Sequence, residues 1–289
     1  MRYVKATLAG LVGATLLVAL SGAAPSGATG RLTTCKTSIL AHEFARGKLT
    51  VATDNPVYTP WFVNNKPANQ KGYESAVVYA IAKVLGVAKS NVVWVTEPFD
   101  SSYVPGPKKF DFDINEVSYT SDRAKAVSFS ESYYDVQQSI VALKTNAIVT
   151  SHSPAQLKTY LYGDQVGTTG LSYIYNKIKP TRSPRVYTTL DQAVLALKTG
   201  QIDAIVIDTP TGQYMASSQI TGSNGKPGIA TQVGQFPSVG EHYGLLFQKN
   251  SPMLGCVNYA LSGLKSSGTL TSLAHKWLGL YTSVPVIQP

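Results

Sequence analysis

The stretch that decides the fold is FDFDINEVSYTSDRAKAVSFSESYY, residues 110–134. Its first five residues alternate apolar and acidic side chains, as a half-buried strand does. The segment SDRAKAV (121–127) then predicts the first turns of a helix. Arg123 does not suit that position, because a cation at a helix N-terminus costs about 0.3–1 kcal/mol unless something offsets it. Arg123 is therefore solvated, paired with Asp122 or Glu131, or available to bind an anion.

The N-terminal residues have the pattern of a secretory signal. A basic start, MRYVK, is followed by the apolar run LAGLVGATLLVAL (8–20) and then by small residues. The run is too short for a membrane-spanning helix, which needs about 20 apolar residues. Cleavage after Ala23 and after Ala28 fit equally well. We expect residues 1–28 to be removed, residues 29–47 to form an N-terminal arm, and the protein to be secreted or held in the periplasm or cell envelope.

The chain has two cysteines, Cys35 and Cys256. In an exported protein a disulfide between them is the favoured interpretation, and two unpaired cysteines are the alternative. The residues LTT before Cys35 lack the small residue that a lipidation site requires directly ahead of its cysteine. We therefore expect the disulfide and no lipid anchor.

Charge and histidine spacing exclude several classes of function. The net charge is +9, but basic and acidic residues are interspersed and no Lys/Arg cluster alternates with aromatic residues, so a nucleic-acid partner is not expected. The histidines lack the spacing of metal ligands, and no nucleophile–base pair is visible. We expect neither a metal nor a cofactor, and no enzymatic activity. These histidines are His42, His152, His242 and His275.

Strand-like and helical runs alternate along the rest of the chain. KLTVAT (48–53), NVVWVT (91–96) and IDAIVI (202–207) are predicted strands. GYESAVVYAIAKVLG (72–86) and TLDQAVLALKTG (189–200) are predicted helices that end at a glycine. This alternation favours an α/β architecture, in which ligands bind at the carboxyl ends of strands. The last residues, YTSVPVIQP, are predicted to form a loose tail.

Three polar features come shortly after predicted strands: Arg123, Thr168–Thr169 and Asp208. The planar guanidinium of Arg can bind a carboxylate with two hydrogen bonds, and backbone N–H groups at a helix start can add to them. Asp208 could accept an ammonium group, or it could simply cap the following helix. A free amino acid needs two such opposed recognition elements.

Several segments, in this order, resemble the amino-acid-binding family among the extracellular solute-binding proteins of ABC transporters. The resemblance runs from Lys48 to Leu280 and is carried by GYESAVVYAIAKVLG, FDFDINEVSYTSDRAKAVSFSESYY, QVGTTGLSYI, LKTGQIDAIVIDTP, and YGLLFQKNSPM followed by GTLTSLAHKWLG. It implies a two-lobed fold of the type II periplasmic binding proteins, each lobe being a mixed sheet flanked by helices. Two hinge strands would cross between the lobes, around 135–142 and 241–247.

The same resemblance implies the limits of the lobes and the grip on the ligand. Lobe 1 would hold residues 48–136 and 245–289, and lobe 2 residues 137–244. Arg123 would bind the α-carboxylate of the ligand and Asp208 its α-ammonium group. Three hydroxyl-bearing residues would assist at the carboxylate, namely Ser118, Thr168 and Thr169.

The resemblance also places side chains around the ligand's own side chain. Tyr58 falls where the family has an aromatic residue, with Trp61 nearby, and Asn115 and Glu116 replace small residues. With Asp54 and the ammonium-binding aspartate, Glu116 makes the expected pocket acidic. An acidic pocket favours a ligand with a second cation, such as arginine, lysine, ornithine or histidine. The alternative is that Glu116 turns away, contributes only its backbone carbonyl and leaves specificity for the ligand side chain to other residues. A neutral polar or an acidic amino acid is the other open ligand class.

The implied function is capture of a free amino acid by a monomer that delivers it to an ABC permease. Two alternatives remain open at this point, a sensory protein that presents its closed form to a receptor and a scavenging protein without a transporter. A third is a dehydratase on the same scaffold, in which Glu116 would act as the general acid.

Overall fold

The computed structural model describes Cys35 and residues 43–151, 153–279 and 284–287. The predicted signal peptide, most of the N-terminal arm, His42 and His152 lie outside the described residues. Within those ranges, no helix combines the length and the apolar character needed to cross a membrane.

Strands and helices alternate as the sequence predicts, and the α/β architecture is confirmed. The strands are β1 (Leu49–Thr53), β2 (Val92–Thr96), β3 (Phe112–Asp113), β4 (Val127–Asp135), β5 (Gln138–Leu143), β6 (Gly163–Gln165), β7 (Arg185–Tyr187), β8 (Ala204–Asp208), β9 (Ala230–Gln235) and β10 (His242–Gln248). The α-helices are α1 (Tyr73–Leu85), α2 (Phe99–Ser102), α3 (Arg123–Ala126), α4 (Pro154–Leu157), α5 (Thr169–Tyr173), α6 (Leu190–Lys198), α7 (Thr209–Tyr214), α8 (Leu254–Ser266) and α9 (Thr269–Leu278).

The first lobe is built on a five-stranded sheet of order β2-β1-β3-β10-β4. Strand β1 runs parallel to β2 and β3, while β10 runs antiparallel to β3 and β4. The predicted helix 72–86 is α1, which buries Val77, Ile81 and Leu85 in one apolar core together with residues of α8 and α9. Gly86 ends α1 in the left-handed region, at φ 75°, which glycine adopts without steric cost.

The second lobe is built on a sheet of order β8-β5-β9, in which β5 is antiparallel to both neighbours. Strands β6 and β7 pair in parallel and join this sheet through a bridge between Tyr162 and Ala204. Successive residues of β5 point to opposite faces, so Ile140 and Val141 belong to two separate apolar clusters.

The chain passes between the two sheets twice. Strand β4 leads into β5 through residues 136–137, and β9 leads into β10 through residues 236–241. The two crossing segments are hydrogen-bonded to each other, because the Val136 N–H donates to the Glu241 carbonyl at 3.0 Å. The helix predicted at 121–127 is a single turn, α3, since Val127 already begins β4.

The predicted disulfide is confirmed: Cys35 is bonded to Cys256 of α8, and both are buried. The bond ties the N-terminal arm to the first lobe. The prediction of a loose C-terminal tail is wrong for residues 284–287, which were also assigned to lobe 1. The Ile287 N–H donates to the Gln235 carbonyl at 2.8 Å, and the Ile287 side chain is buried in a second-lobe core.

Candidate functional site

A cavity in the cleft between the lobes is the candidate functional site. Its lining includes the predicted residues Arg123, Asp208, Thr168, Thr169, Glu116, Tyr58, Asp54 and Asn115. Residues that the sequence analysis did not name also line it, among them Phe99, Gln138, Asp164, Gln165, Leu190 and Thr211. Ser118 and Trp61 were predicted at the site, but they do not line the cavity.

Arg123 is buried, with 8% of its surface exposed, and its guanidinium is held from both lobes. Nη1 donates to the Ser118 carbonyl at 2.7 Å, and Nη2 donates to the Gly167 carbonyl of the second lobe at 2.8 Å. The guanidinium also lies over the rings of Tyr103 and Phe99, at 4.7 and 5.3 Å from their centres. These contacts fix the orientation of a cation that lines the cavity.

The two local partners that the sequence offered Arg123 are occupied elsewhere or exposed. Asp122 forms a surface ion pair with Lys125 at 2.7 Å, and Glu131 lies on the exposed side of β4. Burial lowers the pKa of the Arg123 guanidinium, and Tyr103 offsets part of this effect. Of the three alternatives for Arg123, availability to an anion is the one that the geometry supports.

Ser118 acts on Arg123 through its backbone only. Its hydroxyl donates to Glu241 Oε1 at 2.7 Å, and the residue does not line the cavity. The sequence could not reveal this, because Glu241 lies 123 residues further along the chain.

The start of α5 brings Thr168, Thr169 and Gly170 to the cavity. The Thr168 hydroxyl accepts from the Leu171 N–H at 3.1 Å and thereby caps the helix. The Thr169 hydroxyl accepts from Gln138 Nε2 at 3.2 Å. A Cβ atom on Gly170 would come within 2.1 Å of the Val206 carbonyl, so the helix start approaches β8 as closely as it does only because residue 170 is glycine.

Asp208 ends β8 and stands opposite Gln138 in the antiparallel pairing of β5 and β8. It occupies the N-cap position of α7, yet its side chain makes no capping hydrogen bond. Its carboxylate instead accepts from Gln138 Nε2. Burial, reinforced by the nearby Glu241, raises the pKa of Asp208 to about 7, and Arg123 opposes the rise. Asp208 is thus a cavity carboxylate that a cation would stabilise in its charged form.

Glu116 faces the cavity and is bonded to the second lobe. Its Oε2 accepts from the Thr211 hydroxyl at 2.7 Å, and that hydroxyl oxygen accepts from Trp61 Nε1 at 2.7 Å. The backbone of Glu116 is in the left-handed region, at φ 53°, and its N–H donates to buried Glu74 at 2.7 Å. Burial, Glu74 and Asp208 together hold the pKa of Glu116 well above its usual value.

Trp61 is a core residue rather than a ligand-facing one. It is fully buried and packs edge-on against Tyr73, Tyr134 and Tyr243, with ring centres 5.4 to 6.0 Å apart. Only its indole N–H reaches the second lobe, at Thr211. Aromatic residues such as those in YTPW (58–61) are typical both of a ligand-contacting surface and of a hydrophobic core. The sequence pattern alone therefore does not show which of these roles Trp61 has.

Tyr58, Asp54 and Asn115 complete the predicted part of the lining. The Tyr58 hydroxyl donates across the cleft to Asp191 at 2.9 Å. Burial raises the pKa of Asp54, whose carboxylate accepts from the Asn55 N–H at 2.7 Å. Asn115 is 8% exposed.

Asp164 is an acidic lining residue that sequence reasoning missed. It is 1% exposed, its Oδ1 accepts from the Gln165 N–H at 2.7 Å, and its Oδ2 has no hydrogen-bond partner among the described residues. Burial holds its pKa well above the usual value. An acidic residue in a strand directly before GTT was the signal that could have identified it.

The lining therefore has an excess of acidic groups. Asp54, Glu116, Asp164 and Asp208 face one guanidinium, that of Arg123. The cavity can bind an anionic group next to Arg123 and one or more cationic groups next to the carboxylates. Among the described residues, no three His, Cys, Asp or Glu side chains are grouped so that they could hold a metal ion.

The chain matches characterised proteins over most of its length. It is 27% identical over 226 residues to the arginine-binding periplasmic protein of Mannheimia haemolytica, covering 78% of this chain and 89% of that protein. It is 27% identical over 239 residues to an L-cystine-binding protein of Bacillus subtilis, covering 81% and 82%. The structure superimposes on an ancestral arginine-binding protein bound to glutamine with a TM-score of 0.67 and 30% identity, covering 81% and 99%.

The family assignment rests on a match to a whole-family model. The description of that family is bacterial extracellular solute-binding proteins, family 3, and its model matches residues 49–280. This range contains both sheets and all of the cavity lining described above. The two-lobed fold implied by the sequence resemblance is confirmed, and the chain belongs to the bacterial extracellular solute-binding proteins of family 3.

Proposed function

We propose that this protein captures a free amino acid between its two lobes, outside the cytoplasm, and delivers it to an ABC permease. The single observation that carries the proposal is the placement of Arg123 and Asp208. One is a guanidinium of the first lobe and the other a carboxylate of the second lobe, and both line the same cavity. The carboxylate of a zwitterion would bind Arg123 while its ammonium group binds Asp208.

The contacts across the cleft support a mechanism of closure by population shift. Arg123, Glu116 and Tyr58 of the first lobe each make a hydrogen bond to the second lobe. A ligand gripped by both lobes gains contacts in the closed state that it lacks in the open one. It therefore shifts the equilibrium towards closure by its differential affinity.

The ligand is proposed to be a cationic amino acid, such as arginine, lysine, ornithine or histidine. A zwitterion with a neutral side chain would place one ammonium group against four lining carboxylates. Burial raises the pKa values of all four groups, so a second cation on the ligand would stabilise more of them in the ionised form. The relative from Mannheimia haemolytica is named for arginine, and the L-cystine-binding relative shows that the family also contains proteins named for other amino acids.

Transport is preferred to the sensory and scavenging alternatives because the relatives are described as periplasmic or ABC-transporter binding proteins. Export would follow from the signal-like segment 1–28. The protein is proposed to be a monomer and to lack enzymatic activity. One solved structure, 27% identical, is described as an amino-acid-binding precursor of a dehydratase, so the same scaffold is compatible with either role.

A ligand screen tests the proposal. Purified mature protein is heated in the presence of each common amino acid, ornithine and polyamines, and the shift in Tm is measured. We expect a rise in Tm with one or a few amino acids, because a ligand at 100 times its Kd stabilises the folded state by about 2.7 kcal/mol. The ligand should be recovered chemically unchanged. No shift with any amino acid, or conversion of the ligand, would contradict the proposal.

A further inference from the structure

Gln138 occupies a position where the first crossing segment meets the cavity. It is the first residue of β5, 1% of its surface is exposed, and it lines the cavity. Its amide nitrogen is within hydrogen-bond distance of three acceptors: Asp208 Oδ1, Glu241 Oε1 at 3.1 Å and Thr169 Oγ1 at 3.2 Å. One amide nitrogen therefore serves two carboxylates and a hydroxyl.

Glu241 occupies the matching position in the second crossing segment. Its Oε1 accepts from Gln138 Nε2 and also from the Ser118 hydroxyl at 2.7 Å. The Ser118 carbonyl in turn accepts from Arg123 Nη1 at 2.7 Å. Hydrogen bonds thus connect Ser118 to Glu241 and, through Gln138, to Asp208, while the Ser118 backbone carbonyl, a separate group from its hydroxyl, accepts from Arg123. This set of contacts is called the bridge. It uses both crossing segments and ends at the two opposed charges of the cavity.

The amide nitrogen of Gln138 has fewer hydrogens than acceptors within reach. A primary amide carries two N–H hydrogens, so Gln138 cannot bond three acceptors at full strength at once. The carboxylates of Asp208 and Glu241 both accept from this nitrogen and therefore lie close together. The charge of Glu241 makes ionisation of Asp208 less favourable. A cation arriving at Asp208 would compensate this repulsion and leave the Gln138 hydrogens for Glu241 and Thr169.

We propose that Gln138 and Glu241 are positioning residues that couple the ammonium grip at Asp208 to the carboxylate grip at Arg123. Gln138 holds Asp208 and Thr169 in place, and Glu241 connects Gln138 to Ser118 across the hinge. A ligand cation bound at Asp208 would therefore also strengthen the contacts that orient Arg123. This inference rests on the proposed function, because it assigns these residues a task within the same amino-acid site.

Gln232 provides a matched control. It is also a buried glutamine of the second sheet, and its Nε2 donates to the Ser139 hydroxyl and to the Thr209 carbonyl, both at 2.7 Å. It does not line the cavity. Gln138→Met and Gln232→Met each remove a buried amide donor from one sheet, and only the first breaks the bridge.

The first experiment is a calorimetric titration with L-arginine and, separately, L-glutamine. We expect Gln138→Met to weaken binding by about ten- to a hundredfold, as loss of a hydrogen bond to a charged group does, and Gln232→Met to leave Kd unchanged within about twofold. In an Asp208→Asn background, Gln138→Met should add little further loss, because its effect passes through Asp208. Equal losses in the two backgrounds, or equal effects of the two methionine variants, would overturn the proposal.

Glu241 tests the bridge if Gln138→Met does not fold. Glu241→Gln keeps an oxygen that accepts from Ser118 and Gln138, whereas Glu241→Met removes it. We expect Glu241→Met to weaken binding at least about tenfold more than Glu241→Gln does, by the same hydrogen-bond loss. Indistinguishable affinities of these two variants would show that the bridge does not position the site.

Unfolding of the ligand-free protein separates this inference from the proposed function. Ser118→Ala and Gln138→Met each remove a donor to the same Glu241 oxygen, so their losses in Tm should not add. The matched pair Ser118→Ala with Gln232→Met should be additive. Additive losses in both pairs would overturn the bridge even if amino acids bind. Failure of every amino acid to bind, with non-additive unfolding, would contradict the proposed function and leave the bridge supported.

Discussion

The charged groups that the two lobes present to the cleft differ: the guanidinium of the first lobe is held in a fixed orientation, whereas the carboxylate of the second lobe has a raised pKa. Arg123 of the first lobe is bonded to two carbonyl oxygens and stacked on two rings, and its orientation is set. Asp208 of the second lobe shares one amide donor with Glu241, and its pKa is raised to about 7. If these residues bind the ligand as we propose, the carboxylate grip is prebuilt, whereas the ammonium grip would reach its full charge only when a cation arrives. Ligand affinity should therefore depend on pH through Asp208, whereas Arg123 stays charged.

Removal of the prebuilt grip should have the largest effect. Arg123→Ala takes away the lining guanidinium, and loss of one partner of a buried charged pair costs about 2–5 kcal/mol. We expect calorimetry to show a loss of affinity of at least about thirtyfold, with circular dichroism unchanged. Arg185→Ala, which removes an exposed arginine of β7, is the control and should bind normally. Normal affinity of Arg123→Ala would contradict the account.

The pH dependence of binding should be the next largest effect. Asp208 must be ionised to hold an ammonium group, so affinity should fall as pH drops below about 7, approaching tenfold per pH unit. Asp208→Asn should bind more weakly and lose part of this dependence. The remainder would come from Glu74 and Glu116, whose pKa values burial also raises. An affinity that is constant from pH 8 to pH 5 would rule this explanation out.

Stability of the ligand-free protein should change in the opposite direction. The pKa of Asp208 is raised in the folded state, so the native protein binds more protons than the unfolded chain between pH 4 and 7. The free energy of unfolding should therefore rise as pH falls through about 7, until the unfolded carboxyl groups protonate as well. Denaturant unfolding at pH 7.5 and 5.5 checks the sign. A loss of stability over this interval would count against the raised pKa values.

Glu116→Gln should have a smaller and selective effect. Glutamine can still accept from the Thr211 hydroxyl, so the bond across the cleft is retained while the negative charge is removed. We expect affinity for L-arginine to fall about tenfold and affinity for L-glutamine to change less than about threefold, as for loss of one charge-assisted contact. Equal changes for the two ligands in a calorimetric titration would exclude Glu116 from recognition of the ligand side chain.

Loss of the disulfide should affect stability alone. The double variant Cys35→Ser, Cys256→Ser opens a bond that connects residues 221 positions apart, at an expected cost of about 2–5 kcal/mol of unfolding free energy. Neither cysteine lines the cavity, so Kd should stay within about twofold of the parent value below the lowered Tm. A larger change in Kd would show that the N-terminal arm influences the cleft.

The sequence predicted the parts of the molecule that depend on local pattern. Helix α1 follows from its apolar spacing and its terminal glycine, and the cysteine pair follows from export. Eight of the nineteen lining residues were also predicted, four of them as polar residues that come after strands and four from the family resemblance. Arg123 was identified because a cation is unfavourable at the start of a helix, although the sequence alone left pairing with Asp122 or Glu131 open.

The remaining features depend on contacts between distant segments. Ser118 turns its hydroxyl to Glu241, and Trp61 packs inside a tyrosine cluster, so both leave the cavity lining. The residues next to Gln138 in the sequence do not indicate that it lies at the site. Its position there results from the strand register that places it opposite Asp208. Residues 284–287 pair with β9 because the chain returns to the second lobe after α9. Periodicity and spacing do not contain this information.

The most direct measurement is a crystal structure of the protein with the amino acid that the thermal screen identifies. We expect a ligand carboxylate oxygen about 2.7–3.1 Å from the Arg123 guanidinium and the ligand amine at a similar distance from an Asp208 oxygen. A ligand bound in the reverse orientation, or one that contacts only one lobe, would contradict it.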